Sequence, residues 1–175
     1  MKYVPNVLTA SRLVLAPYVF WLLTKHEYRV VLVLFLVVAI TDALDGWIAR
    51  KFNATSRLGA YLDPVADKIL LGGVFLTLAL TRAIEPWLAG IVLGRDLMIL
   101  LAAIYFYYAK SLRSFPPSVW GKASTFAQIA FVVAVVTLDS GFVSAPVVLP
   151  FEWLTIALTT WSGVDYARKA LALHP

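Results

Sequence analysis

The sequence predicts an all-α integral membrane protein with six transmembrane helices and both termini in the cytoplasm. Of its 175 residues, 61% are hydrophobic and only 14% are charged, which is far from the balance of a soluble globular domain. It contains six apolar runs of about 20 residues, the length that a helix needs to cross a bilayer. Little chain remains outside them, so we predict a single membrane domain over residues 1–175.

The six runs are separated by short segments rich in polar or helix-breaking residues, so successive helices should pack as antiparallel neighbours. Apolar and polar residues do not alternate in them as they would in a membrane β-barrel. The predicted spans are Val7–Thr24, Val30–Ile48, Ala60–Thr81, Pro86–Tyr108, Val119–Leu138 and Val147–Tyr166.

The basic residues predict the orientation. Six spans place both termini on one side, and ten basic residues fall there against three in the opposite loops, so the positive-inside rule puts the termini in the cytoplasm. These charges flank apolar spans, where anionic lipid headgroups are nearer partners than nucleic acid. The ten are Lys2, Arg12, Arg50, Lys51, Arg57, Lys110, Arg113, Lys122, Arg168 and Lys169, and the three are Lys25, Arg29 and Arg82.

Four aspartates lie in or beside two neighbouring spans. Asp42 and Asp45 are three residues apart near the cytoplasmic end of the second span, and Asp63 and Asp67 are four apart near the start of the third. Each spacing puts its pair on one helix face. Carboxylates inside a membrane are costly, so four of them at one depth indicate a function.

Divalent metal is the natural counter-charge for these carboxylates. Oxygen ligands favour Mg²⁺, Mn²⁺ or Ca²⁺, and the sequence has no Cys and only two His, which argues against zinc. Two metal ions about 3.5–4 Å apart are a common device for displacement at phosphorus. The alternative is that the aspartates cap helix ends or pair with nearby cations, and Asp63, just before Pro64, is a plausible N-cap.

Small residues stand at fixed spacings among the acids. The pattern is Asp42, two residues, Asp45-Gly46, two residues, Ala49-Arg50, eight residues, Gly59, three residues, Asp63, three residues, Asp67. It resembles, without a gap, the signature of the CDP-alcohol phosphatidyltransferases. The predicted length, six-span layout and cytoplasmic site resemble that family over nearly the whole chain.

The resemblance implies roles for the carboxylates. Asp42, Asp45 and Asp63 would be metal ligands that hold the pyrophosphate of a CDP-linked lipid, with two Mg²⁺ as the expected ions and Mn²⁺ possible. Asp67 would be a ligand and also the base that takes the proton of the acceptor hydroxyl. The reaction would transfer a phosphatidyl group from CDP-diacylglycerol and release CMP.

The remaining signature residues are assigned to the CDP-lipid, together with Asp42. Gly46, Ala49 and Arg50 would line the nucleotide site, where Arg50 offers a planar donor fork for phosphate. Gly59 would let backbone approach closely. For Gly46 and Gly59, helix packing or a turn is the alternative.

The start of the chain, Pro5-Asn6-Val7-Leu8-Thr9, and the segment Trp161 to Tyr166 resemble the anionic-lipid branch of the family, which contains phosphatidylglycerophosphate synthase and cardiolipin synthase. Asn6 and Thr9 would contact the nucleotide or cap the first helix. The resemblance also implies a homodimer, in a bacterial inner membrane, with its active site at the cytoplasmic face.

The acceptor depends on fewer residues. Arg95, next to Asp96 inside the fourth span, either pairs with that aspartate or binds acceptor phosphate, and we expect the second. Lys122 lies at the depth of an anionic headgroup, and Ser124 stands where glycerophosphate-specific members of the family carry a second lysine. These features favour phosphatidylglycerol as acceptor, with glycerol 3-phosphate as the alternative and inositol phosphate, serine and choline still open.

Two other functions are compatible with a membrane composition. A cation transporter would also place carboxylates in the membrane, but near mid-bilayer and beside discontinuous helices. A membrane scaffold without chemistry would leave the cost of four aspartates unexplained.

Overall fold

A computed structural model describes residues 4–38, 57–110 and 118–172, and every regular element within these ranges is an α-helix. The all-α prediction is therefore confirmed over this part of the chain. The helices are α1 (Val4–Thr24), α2 (described over Tyr28–Val38), α3 (Arg57–Leu80), α4 (Pro86–Lys110), α5 (Val119–Asp139) and α6 (Ala145–Ala172).

Within the described ranges, three helices are long and apolar enough to cross a bilayer: α4 over Pro86–Phe106, α5 over Val119–Asp139 and α6 over Ala145–Leu171. Two shorter apolar stretches, Val14–Thr24 and Tyr28–Val38, belong to α1 and α2. The protein is thus an all-α membrane protein, and the count of six spans stays a prediction.

Local sequence explains several helix ends. Ser118 precedes α5 in an extended conformation, and its hydroxyl accepts a hydrogen bond from Gly121 N at 3.0 Å, as an N-cap does. Pro86 begins α4, where the amide that proline lacks would have no intrahelical acceptor. His26 and Arg82 have positive φ angles of 59° and 62°, a left-handed backbone conformation that is uncommon in residues other than glycine.

The chain divides into two compact units, Met1–Thr81 and Arg82–Pro175. In the first unit, α1 packs against α3. The contact is tight at Gly73, because a Cβ there would lie 2.7 Å from Cε1 of Phe20 and closer still to its Cζ. Fully buried side chains from three helices complete this core, among them Leu23, Val31, Phe75 and Leu78.

In the second unit, α6 packs against both α4 and α5. Apolar residues such as Phe131 and Val136 are buried on α5. The contact also contains buried polar side chains: Ser124 and Gln128 on α5, and Thr155, Thr159 and Ser162 on α6, each fully buried. We call these five residues the polar seam.

Candidate active site

The third helix positions one of the two predicted acidic pairs. Asp63 and Asp67 both lie within α3, four residues apart, and so share a helix face. Because α3 begins at Arg57, Asp63 is in its second turn and does not precede its first residue. The N-cap alternative for Asp63 is therefore wrong, and its carboxylate needs another role.

Asp67 is exposed at its position on α3. Leu70 follows Asp67 one turn later on the same face of α3. It lines a small apolar cavity with Leu15 and Val19 of α1 and with residues of α2. The carboxylate thus lies one turn from an apolar interior, which places it near the border between polar and apolar surroundings.

The other pair and its neighbours lie outside the described residues: Asp42, Asp45, Gly46, Ala49 and Arg50. Among the described side chains, no three acidic or histidine groups come together. The four-aspartate metal site therefore stays a prediction. What fits it is the chemistry of the donors, since Asp63 and Asp67 offer hard oxygen ligands on one face of α3.

The predicted nucleotide residues near the N-terminus lie on helices. Asn6 and Thr9 are the third and sixth residues of α1, which begins at Val4, so neither stands at an N-cap position. Gly59 is the third residue of α3. The capping alternative for Asn6 and Thr9 is not met, and contact with nucleotide stays a prediction.

In the second unit, Arg95 of α4 is buried, with 8% of its surface exposed. Its Nη1 donates to Asp96 Oδ1 at 2.5 Å, so the arginine pairs with its neighbour. Its Nη2 and Nε donate to Ser162 Oγ of α6 at 2.6 and 3.2 Å. A longer bond of 3.4 Å runs from Nη2 to Gly121 O of α5.

Arg95 therefore joins three helices at one point. From the sequence we expected Arg95 to bind acceptor phosphate and not to pair with Asp96. The structure shows the pairing, and acceptor binding stays a prediction. The guanidinium edge formed by Nε and Nη2, which would bind a phosphate with two hydrogen bonds, is occupied by Ser162. The Nη1 side, where Asp96 also binds, is the part of the guanidinium that Ser162 leaves open.

Tyr166 of α6 also contacts Arg95. Its ring lies 5.8 Å from the Arg95 guanidinium carbon, within the range of a cation–π interaction. Its hydroxyl accepts a hydrogen bond from Ser118 N at 2.9 Å. Lys169 lies over the same ring at 5.7 Å and pairs with Asp165 at 2.8 Å.

Lys122 is exposed and directly follows Gly121, whose carbonyl Arg95 contacts. The structure thus brings the two predicted acceptor residues to the same end of α5. It does so through Ser162 and Tyr166, which the sequence alone did not assign a role. The available signal was the spacing of polar residues along apolar α6, Thr155, Thr159, Ser162 and Tyr166, which repeats at helical intervals.

The Ser124 hydroxyl forms hydrogen bonds within the polar seam. Its hydroxyl lies 3.0 Å from Thr159 Oγ1, and Gln128 Nε2 donates to both oxygens at 3.2 and 3.1 Å. Thr155 Oγ1 donates to Ala127 O at 3.1 Å. The position at which glycerophosphate-specific relatives would carry a second lysine therefore holds a neutral hydroxyl that contacts α6.

Comparison with known proteins finds one matching family model and several relatives. A family model described as CDP-alcohol phosphatidyltransferase matches residues 2–161. The chain is 33% identical over 177 residues to the CDP-diacylglycerol–glycerol-3-phosphate 3-phosphatidyltransferase of Aquifex aeolicus, with 97% of each chain covered.

Two further relatives are named for a different product. The chain is 29% identical over 188 residues to the cardiolipin synthase (CMP-forming) of Rattus norvegicus, covering 96% of this chain and 62% of that protein. It is 39% identical over 115 residues to a probable cardiolipin synthase (CMP-forming) of Drosophila melanogaster, covering 65% of this chain and 34% of that protein. The chain thus spans about a third of the Drosophila protein and about three fifths of the rat protein.

Proposed function

Because the chain belongs to the CDP-alcohol phosphatidyltransferase family, we propose that it transfers a phosphatidyl group from CDP-diacylglycerol to the hydroxyl of a glycerol-type acceptor and releases CMP. Family membership places it among the enzymes of phospholipid synthesis. The observation that carries the reaction is the uninterrupted acidic signature from Asp42 to Asp67, whose last two members lie four residues apart inside α3.

Asp67 is the proposed base. An alcohol has a pKa far above neutrality, so a carboxylate within reach must take its proton as the oxygen attacks the phosphorus that bears diacylglycerol. The new P–O bond forms to the acceptor oxygen, the bond to the CMP oxygen breaks, and CMP departs with the electron pair.

Asp42, Asp45 and Asp63, with Asp67, would hold divalent metal, for which two Mg²⁺ are the proposed ions. The metal would supply charge compensation for the pyrophosphate and the departing CMP. Asn6, Thr9, Gly46, Ala49, Arg50 and Gly59 are the proposed contacts of the CDP-lipid.

Phosphatidylglycerol is the proposed acceptor, which would make this chain a cardiolipin synthase. The support is electrostatic: Arg95 is compensated by Asp96 at 2.5 Å, and Ser124 supplies no second charge near Lys122. A phosphate monoester such as glycerol 3-phosphate carries nearly two charges and calls for more cations, whereas a phosphodiester carries one. Glycerol 3-phosphate remains the second candidate because the Aquifex relative is named for it.

The proposed topology has six spans, both termini in the cytoplasm and the active site at the cytoplasmic face of a bacterial inner membrane. Three long apolar helices support it. In the second unit, Trp120 of α5 and Trp161 of α6 pack edge to face, with ring centroids 6.0 Å apart. Trp120 is two residues before Lys122. Tryptophan and lysine together are typical of a membrane–water interface.

A homodimer is also proposed. Gly73 is already used within the chain, against Phe20. Gly90 and Gly94 of α4 are different, because a Cβ at either would meet no atom within 4 Å. They lie on one exposed stripe with Trp87, Leu97 and Leu101, and small residues four apart allow membrane helices to approach closely.

The dimer can be tested by cross-linking, since the sequence has no cysteine. Gly94→Cys in membranes should form a disulfide-linked dimer under mild oxidation. Phe126→Cys, on α5 and 76% exposed, is the matched control and should stay monomeric. Equal cross-linking of both variants, or of neither, would contradict a specific contact through α4.

The reaction itself is tested with purified protein, Mg²⁺, CDP-diacylglycerol and either phosphatidylglycerol or glycerol 3-phosphate. We expect CMP release that depends on acceptor and metal, faster with phosphatidylglycerol. A cation transporter or a scaffold would release no CMP with either acceptor, nor with inositol phosphate or serine, and that result would reject the enzyme assignment.

The base assignment has its own test. Asp67→Asn should abolish CMP release yet retain appreciable CDP-lipid binding, because the amide keeps the shape and loses the basicity. Asp42→Asn should weaken metal and nucleotide binding together. Asp139→Asn, at the far end of α5, is the control for an aspartate outside the site. Full activity in Asp67→Asn would refute its role as base.

A further inference from the structure

We propose that Ser162 is a positioning residue for acceptor binding, acting by holding the Arg95 guanidinium in one orientation. This inference rests on the proposed function and on the prediction from the sequence that Arg95 contacts the phosphate of the acceptor lipid. The starting observation is that a fully buried serine of α6 accepts two hydrogen bonds from a buried arginine of α4.

The geometry is directional. Ser162 Oγ lies 2.6 Å from Nη2 and 3.2 Å from Nε, so it binds one edge of the planar guanidinium. Asp96 binds the opposite end through Nη1. The hydrogen bonds hold three atoms of the planar group, Nε, Nη2 and Nη1, and three points define its orientation. The Tyr166 ring, 5.8 Å from the guanidinium carbon, limits its movement further.

The hydrogen bonds also show which N–H groups of Arg95 already have a partner. A guanidinium has five N–H groups, and the contacts with Ser162, Gly121 and Asp96 use four of them. The fifth is on Nη1, the side that Ser162 leaves open. We therefore assign Nη1 as the donor to the acceptor's phosphate oxygen, with Ser162 determining where that N–H points.

Burial explains why a hydroxyl is needed at this position. Arg95 exposes only 8% of its surface, so an Nε or Nη2 without a partner would cost the desolvation of a charged group. Without Ser162 the Arg95 side chain would turn toward another hydrogen-bond partner. Its Nη1 would then move away from the phosphate of the acceptor lipid.

The polar seam supplies a matched control. Thr155 lies on the same face of α6, two turns earlier, is fully buried and bonds Ala127 O. Removing its hydroxyl damages the contact between α5 and α6 without touching Arg95. A purely structural role for Ser162 predicts similar kinetic effects for both residues.

The experiment compares Ser162→Ala, Ser162→Thr, Ser162→Cys, Thr155→Val and Arg95→Ala in full-length protein in phosphatidylglycerol-containing mixed micelles, measuring CMP release. Ser162→Ala should raise the acceptor KM about tenfold, the order of one lost hydrogen bond to a charged group, and leave the CDP-diacylglycerol KM within about twofold. Ser162→Thr keeps the hydroxyl and should stay near wild type. Thr155→Val should change neither KM.

Ser162→Cys provides a second variant if Ser162→Ala does not fold, because sulfur is a weak acceptor and should give an intermediate acceptor KM. If Ser162→Ala or Ser162→Cys changes both KM values equally, or neither, while Arg95→Ala raises only the acceptor KM, this inference is wrong and the proposed function stands. If Arg95→Ala leaves the acceptor KM unchanged while CMP is still released, the acceptor role of Arg95 and this inference fail together. No CMP release by the wild type would instead reject the proposed function.

Discussion

The contact between α1 and α3 depends on the missing side chain of Gly73, and its contribution can be measured. A Cβ at this position would overlap the Phe20 ring, 2.7 Å from Cε1 and 2.8 Å from Cε2. Gly73→Ala should therefore lower stability, since overpacking a filled site costs roughly 1–3 kcal/mol. Alanine also gains about 1 kcal/mol over glycine in a helix, which would hide part of the loss.

Comparison with Gly90→Ala separates the effect of the steric overlap at position 73 from the gain in helix propensity. Gly90 is also in a helix interior, but within one chain its Cβ would meet nothing within 4 Å. The comparison is made on monomeric protein in detergent, so that the proposed dimer contact of α4 does not contribute. The propensity gain is common to both variants, so the difference between their free energies of unfolding should equal the overlap alone, about 1–3 kcal/mol in favour of Gly90→Ala.

The assay is unfolding by increasing SDS in detergent micelles, followed by tryptophan fluorescence. A second comparison uses Phe20→Ala, which removes the ring: in that background the loss from Gly73→Ala should largely disappear, as a double-mutant cycle detects for residues in contact. Equal stability of Gly73→Ala and Gly90→Ala would refute the packing of α1 against α3 at this point.

Two further predictions concern the second unit. Lys122→Ala should raise the acceptor KM more than the CDP-diacylglycerol KM in the CMP-release assay, and equal effects on both would remove Lys122 from the acceptor site. Tyr166→Phe should lower the free energy of unfolding by about 1–3 kcal/mol, because it leaves the buried Ser118 N–H without its acceptor. The aromatic ring of the Tyr166→Phe variant remains beside Arg95, so the acceptor KM of this variant should rise less than that of Ser162→Ala. A larger rise would show that the Tyr166 hydroxyl contributes to acceptor binding.

The sequence predicted the helices well because each one is an apolar run with its own boundaries. The ends were less exact: α6 continues to Ala172, beyond the predicted Tyr166. The charged residues Arg168 and Lys169 interrupt the apolar run there, but the helix continues through them, and Lys169 pairs with Asp165 one turn earlier. Hydrophobicity alone gives no signal for such an extension.

The partners of Arg95 could not be predicted from the sequence. Asp96 is its neighbour, but Gly121 and Ser162 are 26 and 67 residues away. Which of several serines faces an arginine depends on the rotation of two helices about their axes, and apolar periodicity is weak in helices surrounded by lipid. The acidic signature was different, because its spacing lies within a single stretch of chain.

The polar seam also has a consequence for how the protein enters the membrane. Thr155, Thr159 and Ser162 would each meet lipid if α6 were inserted alone, and Gln128 would do so on α5. The two helices are joined by only residues 140–144, so they can enter as a hairpin with these groups already facing one another. Arg95 lies on α4, earlier in the chain, and would gain its hydrogen bonds to Ser162 only after α6 has inserted. Insertion of α6 therefore completes the hydrogen bonding of this buried charge.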